Sequence, residues 1–247
     1  MTETINGFLI HYEQLGQGPD VLLLHGWGYD LTLLLPLARA LSDRYRVTLA
    51  DMPGHGGSPE PEQPITVYEY AEIVSGLLDR LAIQKTNIVG HSFGCRLSLI
   101  LAAKHPEKVN RLVLCGAAGL KDKRGFSYYR KVYTYKIAKF FIKTFAPKKF
   151  DAWRKNRGSA DYRQLSDTMK ATFSKIVNED LAYLLPDVKA PTFLVWGEND
   201  TATPLWMAET MEKTIPDCAK VVYAGRTHYA FLEELPRTLA IVKTFFG

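Results

Sequence analysis

Short apolar runs alternate with longer amphipathic segments along most of this chain, and the alternation restricts the folds open to it. The run "VLLLHG" at 21–26 is apolar throughout, which is typical of a strand buried on both faces of a sheet. Further strand-like runs occupy 7–16, 45–51, 86–92, 109–118, 190–200 and 219–225. Helical patterns lie between them at 31–44, 65–83, 93–106, 204–215 and 233–246. This order predicts an α/β fold with a mostly parallel central sheet flanked by helices.

One segment interrupts the alternation. Residues 119–185 hold no strand-like run, and their large apolar side chains recur at helical spacing: Phe126, Tyr129, Tyr133, Ile137, Phe140 and Phe141. The segment carries 16 Lys and Arg against 6 Asp and Glu, whereas the rest of the chain is net acidic. We therefore predict a core formed by 1–118 and 186–247, with 119–185 inserted as a helical lid over the end of the sheet.

Composition narrows the class of protein. The chain has 247 residues, 47% of them hydrophobic, and no apolar run long enough to span a membrane. The start lacks the pattern of a signal peptide, so a cytoplasmic location is expected. The three cysteines, at 95, 115 and 218, are scattered without metal-ligand spacing, as are the six histidines. No metal or other cofactor is expected.

The stretch "IVGHSFGCRLSL" at 88–99 contains the pattern G-x-S-x-G between a strand-like and a helical run. A sharp strand-to-helix turn would lift Ser92 out of the backbone at the carboxyl edge of the sheet, where ligands of parallel sheets bind. Gly90 and Gly94 would let strand and helix pack closely around the strained apex. Because serine alone is a weak nucleophile, this interpretation requires a general base and an acid that orients it.

Both partners are available downstream. Asp200 follows the apolar run of "VWGEND", and His228 lies in "AGRTHYAF" before the last helix. Glu198 is the nearer competitor for the acid, and we expect it to be solvated or bonded to backbone. The strand before the insertion ends "LCGAAGL" and offers no carboxylate before Asp122, which favours Asp200.

With these motifs the sequence resembles the α/β-hydrolase superfamily, whose chain order is nucleophile, acid, histidine. "HGWG" at 25–28 is similar to the oxyanion loop of the family, and "DMPGHGGS" at 51–58 resembles another of its turns. The resemblance implies that His228 takes the Ser92 proton and that Asp200 orients the imidazole. It also implies that the backbone N–H groups of Trp27 and Phe93 form the oxyanion hole.

Other residues near these motifs have several possible roles. Candidate substrate contacts are His91, Arg96, Phe126, Tyr129, Tyr133 and Tyr229. His91 either lines the site or packs beneath it. We expect His25 and His55 to hold backbone groups by hydrogen bonds, and Asp51 to cap its turn.

The favoured function is hydrolysis of small or medium carboxylic esters through an acyl-enzyme. Serine at the apex argues against haloalkane dehalogenases and epoxide hydrolases of this fold, which use aspartate there. Alternatives are a lyase similar to those of the menaquinone pathway, suggested by Arg96 in "SFGCR", and a carbon–carbon bond hydrolase. A non-catalytic small-molecule receptor is the alternative of another class.

The basic insertion admits three interpretations. Its charges form a solvated helix face, or they favour acidic substrates or weak association with an anionic surface, or, least in keeping with the sequence, they bind nucleic acid. The expected partner is a small-molecule ester, with no nucleic acid and no membrane span. Oligomeric state does not follow from the sequence.

Overall fold

The fold is built on one eight-stranded sheet, seen in a computed structural model that describes residues 1–121, 134 and 164–247. The strand order is β1-β2-β4-β3-β5-β6-β7-β8, with β1 and β2 antiparallel to their neighbours and the other strands parallel. The strands are β1 (Thr2–Ile5), β2 (Phe8–Leu15), β3 (Asp20–Leu24), β4 (Arg46–Ala50), β5 (Thr86–His91), β6 (Val109–Cys115), β7 (Thr192–Gly197) and β8 (Cys218–Tyr223). The predicted α/β class and mostly parallel sheet are confirmed.

Seven α-helices lie in the described part of the chain. They are α1 (Leu35–Leu41), α2 (Val67–Arg80), α3 (Phe93–Lys104), α4 (Asp167–Asn178), α5 (Leu205–Thr214), α6 (Ala230–Glu233) and α7 (Leu235–Phe246). Short 3₁₀ turns occupy Leu31–Leu34, Pro106–Lys108 and Ala182–Asp187. Helix α2 begins at a capping box, in which the Thr66 and Glu69 side chains each bond the backbone N–H of the other residue. Across these ranges no helix combines the length and apolar character that crossing a membrane requires.

Strand β1 is missing from the sequence prediction. Only Ile5 of its four residues is buried, so the strand has no apolar run to reveal it. It pairs with β2 across the turn at Asn6 and Gly7, both of which have positive φ.

The core lies on both faces of the sheet. Strands β3 and β5 are buried along almost their whole length, and one apolar cluster joins them to α2 and α3. A second cluster joins the opposite face to α1 and α7. Burying one Leu, Ile or Val side chain contributes about 1.5–3 kcal/mol, so the two clusters hold the strands in fixed register.

That register brings the loops of the candidate site to one edge. Leu24 pairs with Gly90 and His91 pairs with Cys115, so β3, β5 and β6 end side by side. Strand β4 runs parallel to β3, with Ala50 beside Leu24, so the loops after β3, β4, β5, β6, β7 and β8 all leave the sheet at its carboxyl edge. The predicted motifs lie on these loops.

The described part of the insertion is attached to the core by a compact seam. The Leu181 N–H donates to the Gly119 carbonyl at 2.8 Å, and Lys121 Nζ donates to the Asn178 carbonyl at 3.1 Å. Helix α4 turns Met169, Thr172 and Ile176 inward, and the Thr172 hydroxyl accepts from the Ile65 N–H at 3.3 Å. The two chain crossings between core and insertion therefore lie against each other. Residues 122–133 and 135–163 lie outside the described part.

Candidate active site

Ser92 stands at the strained turn between β5 and α3. Its backbone has φ 50° and ψ −105°, a conformation that costs a non-glycine residue roughly 1–3 kcal/mol. The surrounding structure holds it there, because the Ser92 N–H donates to the Cys115 carbonyl at 3.0 Å and the Ser92 carbonyl accepts from Cys95 N–H at 3.1 Å. A side chain at Gly94 would overlap the Leu24 carbonyl, so only glycine lets α3 approach β3 this closely. The strained apex predicted from G-x-S-x-G is confirmed.

Asp200 and His228 form a hydrogen-bonded pair. The His228 Nδ1 lies 2.8 Å from Asp200 Oδ2, with the carboxylate fully buried and the imidazole slightly exposed. Because a carboxylate oxygen only accepts, the Nδ1 atom carries the proton. The Nε2 atom of neutral His228 then keeps its lone pair, which is the form that acts as a base.

Asp200 is held in its ionised form. Its Oδ1 accepts the N–H groups of Ala202 at 2.9 Å and Thr203 at 2.8 Å, and its Oδ2 also accepts the Thr203 hydroxyl at 2.7 Å. Burial alone would raise the pKa of this carboxyl, but the hydrogen bonds from His228 and Thr203 outweigh burial and lower the pKa. The carboxylate therefore remains charged beside the imidazole.

The serine and the acid–histidine pair meet at the end of β6. Ser92 is bonded through its N–H to Cys115, and a Cβ on the next residue, Gly116, would lie 3.0 Å from His228 Nδ1 and 3.1 Å from Asp200 Oδ2. Within the described residues the Ser92 hydroxyl forms no hydrogen bond, so a direct Ser92–His228 bond is not formed in this conformation. In catalytic sites such bonds often tighten only when substrate binds.

Two backbone N–H groups beside Ser92 are available to a ligand. In the part of the chain that the structure describes, neither the Trp27 N–H nor the Phe93 N–H donates a hydrogen bond. Phe93 is the first residue of α3, where the helix dipole favours negative charge. The Trp27 and Phe93 rings pack edge to face with centroids 5.5 Å apart, which ties the loop after β3 to the start of α3.

The predicted structural roles of two histidines and Asp51 are confirmed. The buried His25 accepts the Met52 N–H on Nε2 at 3.1 Å and donates from Nδ1 to the Gly26 carbonyl at 2.8 Å. His55 bonds the Pro53 carbonyl at 3.2 Å, and burial lowers its pKa to about 4. Asp51 accepts the N–H groups of Leu31 at 2.7 Å and Gly57 at 2.8 Å. These bonds fix the two loops that flank Ser92.

Glu198, the competing acid, bonds to backbone near the end of β8. Its Oε2 accepts the Gly225 N–H at 2.8 Å, so it bonds neighbouring backbone, as expected from the sequence.

The candidate substrate contacts lie in different surroundings. His91 is buried under the site, with its Nε2 3.3 Å from the His228 carbonyl. The buried Arg96 donates from Nη1 to the Glu179 carbonyl at 2.9 Å, and burial lowers its pKa to about 10. Tyr229, half-buried beside His228, shares a hydroxyl hydrogen bond with Tyr29. Phe126, Tyr129 and Tyr133 lie outside the described residues, so their predicted roles stay predictions.

Sequence reasoning missed three residues of this site. Thr203 donates its hydroxyl and N–H to Asp200, and its position three residues after the acid is the signal of a capping turn. Tyr29 follows the "HGWG" motif but carries no pattern of its own. Gly116, with φ 52°, has no side chain to collide with Asp200 and His228. Its position at the end of a strand is the only sequence signal of this role.

Comparison with known proteins gives the family. A sequence-family model described as "alpha/beta hydrolase fold" matches residues 19–168, and a second family model, described as "TAP-like protein", matches residues 174–246. The chain belongs to the alpha/beta hydrolase fold family.

Relatives and solved structures agree with this assignment. A pimeloyl-[acyl-carrier protein] methyl ester esterase of Nitrosomonas europaea is 26% identical, over 90% of this chain and 94% of its own length. A 2-hydroxy-6-oxo-6-phenylhexa-2,4-dienoate hydrolase of Comamonas testosteroni is 27% identical, over 93% of this chain and 88% of its own. The crystal structure of an enol-lactonase from Burkholderia xenovorans superposes with a TM-score of 0.78 and 25% identity, covering 100% of this chain and 99% of the other. The chain is accordingly a hydrolase of this fold.

Proposed function

We propose that this protein is a serine hydrolase that cleaves carboxylic esters through Ser92, His228 and Asp200. The observation that carries the proposal is the conjunction of a strained serine at the strand-to-helix turn with a histidine whose free lone pair is on Nε2. Strain at one polar residue persists only where the surrounding structure imposes it, and such residues cluster at functional sites.

The proposed first step forms an acyl-enzyme. The Ser92 Oγ attacks the ester carbonyl carbon while His228 Nε2 takes the hydroxyl proton. The resulting imidazolium is stabilised by Asp200, and it returns the proton to the leaving alcohol as the carbonyl–oxygen bond breaks. Water then attacks the acyl carbon as His228 Nε2 takes its proton, and the imidazolium returns that proton to Ser92 Oγ as the acyl–oxygen bond breaks and the acid leaves.

The negative oxygen of each tetrahedral intermediate would be held by the N–H groups of Trp27 and Phe93. Loss of one donor of this kind typically costs about 2.7–4 kcal/mol of transition-state stabilisation. Both groups belong to backbone that is locked by other contacts, the loop by His25 and the helix start by ring packing with Trp27. The hole is therefore organised before the substrate arrives.

Esters are the favoured substrates. The Nitrosomonas relative is named for a methyl ester, and ester cleavage needs no machinery beyond the groups described above. The preferred acyl group is proposed to be small or medium in length. A carbon–carbon bond hydrolase is the second candidate, because the Comamonas relative has a name of that class and the same three residues would serve.

The lyase alternative depends on Arg96 as an anion contact. In the described structure the Arg96 side chain is buried and donates to the Glu179 main-chain carbonyl, and this contact does not favour the lyase. The receptor alternative predicts ligand binding without turnover.

A panel of p-nitrophenyl esters of graded acyl length tests the proposal. The wild type should turn over the short esters and be labelled by a fluorophosphonate probe, while Ser92→Ala should lose both properties. Ser98→Ala is the matched control, since this buried serine donates to the Gly94 carbonyl one turn further along α3. Ligand-induced thermal stabilisation with neither turnover nor labelling would replace the hydrolase with the receptor. Cleavage of a vinylogous diketone without ester turnover would favour the second candidate.

A further inference from the structure

His91, the residue directly before the proposed nucleophile, is buried among aromatic rings beneath the candidate site. His91 is 1% exposed, and its ring centroid lies 4.8 Å from that of His228 and 4.8 Å from that of Phe231. Tyr229, next to His228 in the chain, packs its ring 5.5 Å away. The His91 ring therefore supports the loop that carries His228.

Hydrogen bonding fixes which nitrogen of His91 carries the proton. Its Nε2 lies 3.3 Å from the His228 main-chain oxygen, and a carbonyl oxygen only accepts, so Nε2 is the donor. The neutral ring then has a lone pair on Nδ1, which has no hydrogen-bond partner among the described residues. That atom faces the oxyanion loop, where a Cβ on Gly26 would lie 2.8 Å from it and 3.4 Å from the Ser92 Cβ.

This arrangement favours a permanently neutral ring. A proton on Nδ1 would point at the Gly26 methylene without an acceptor, and it would place a positive charge beside His228. The groups that face the ring are His228, Asp200 and His25, and burial with repulsion from His228 lowers the His91 pKa to about 3. The ring keeps one donor, aimed at the His228 backbone, while the reaction charges His228 itself.

We propose that His91 is a positioning residue, which holds the His228 backbone in register with Ser92 through its Nε2–H donor while its ring packs against the oxyanion loop. The inference rests on the proposed function of Ser92 and His228. The second position of G-x-S-x-G, occupied by His91, would then support the reaction by positioning His228, although its side chain touches no reacting atom. Its loss should lower kcat more than it raises KM, because an imidazole misplaced by about 1 Å costs on the order of 100-fold in rate.

Two amide variants separate donation from packing. In His91→Gln the side-chain nitrogen reaches roughly as far as Nε2, whereas in His91→Asn the same amide ends near the position of Nδ1. We expect His91→Asn to lose about 10- to 100-fold in kcat and in the rate of fluorophosphonate labelling. His91→Gln should recover most of that loss, with KM of both variants close to that of the wild type. His105→Asn, at the far end of α3, is the control for the same exchange.

The outcomes distinguish this inference from the proposed function. A kcat of His91→Asn equal to or above that of His91→Gln overturns the positioning role. It is also overturned if both variants keep wild-type kcat, or if KM rises while kcat is unchanged. If the wild type is not labelled, or if Ser92→Ala is as active as the wild type, the proposed function itself fails. Thermal midpoints measured alongside separate unfolding from loss of rate.

Discussion

A methyl group at position 116 should disturb the proposed machinery without removing any polar atom of it. Gly116 has φ 52°, and the Cβ of alanine there would press on His228 Nδ1 at 3.0 Å and Asp200 Oδ2 at 3.1 Å. Contacts this close force the neighbours to move by a few tenths of an ångström. His228 is held between Asp200 and the His91 ring, so a shift of either neighbour should move Nε2 relative to Ser92.

The magnitude follows from two separate costs. A left-handed conformation costs an alanine about 1–2 kcal/mol, so Gly116→Ala should lower the free energy of unfolding by that amount. For a chain of this size the thermal midpoint should fall by about 2–8 °C. If a misplacement of about 1 Å costs 100-fold in rate, a shift of a few tenths should cost several-fold to about 10-fold in kcat/KM.

Gly7→Ala is the matched control for this experiment. Gly7 has φ 86°, lies in the turn between β1 and β2, and has open space where a Cβ would be placed. It should lose similar stability and keep kcat/KM within about twofold of the wild type. The assay is p-nitrophenyl butyrate hydrolysis with a thermal melt of each variant. Equal kcat/KM in Gly116→Ala and Gly7→Ala would refute the claim that the 3 Å packing around Asp200 and His228 sets the rate.

Three further predictions concern charge and hydrogen bonding. Asp200→Asn should lower kcat for esters by about 10³–10⁴, because an amide cannot accept from both His228 and Thr203 in the same way, and undiminished turnover would contradict this role. Since burial lowers the pKa of His55 and His91 in the folded state, the unfolded chain binds their protons first as pH falls below about 6.5. Urea unfolding should therefore show each site losing roughly 2 kcal/mol of stability between pH 7 and pH 5, and a His55→Phe variant with unchanged pH dependence would argue otherwise. Arg96→Met should lose at most about 3 kcal/mol of stability and keep ester kcat, whereas a large rise in KM for carboxylate-bearing esters would make Arg96 a substrate contact.

The sequence was most informative where chemistry and chain geometry coincide. Parallel strands such as β3 and β7 contain short apolar runs, and buried strands of this kind end at one edge of the sheet, so the loops holding Ser92, Asp200 and His228 could be assigned together. Glycine on both sides of Ser92 reported the close approach of α3 to β3. These features can be predicted from local sequence patterns alone, without knowledge of tertiary contacts.

The remainder depends on contacts between distant segments. β1 was missed because its register with β2, not its composition, places it in the sheet. Arg96 was linked to the pocket by its spacing from Ser92, but its hydrogen bond goes to Glu179, 83 residues further along the chain. Nothing in local sequence marks such a pairing. The tautomer of His91 likewise requires knowledge of the His228 carbonyl 137 residues away.

The seam at Gly119 and Leu181 has a consequence for how proteins of this shape diversify. Gly119 and Leu181 are hydrogen-bonded neighbours, so the two ends of the chain segment between them lie side by side. Insertions or deletions in that segment would therefore not require the strand ends to move. The loops that carry Ser92, Asp200 and His228 leave strands of the central sheet, and their spacing would stay the same through such changes.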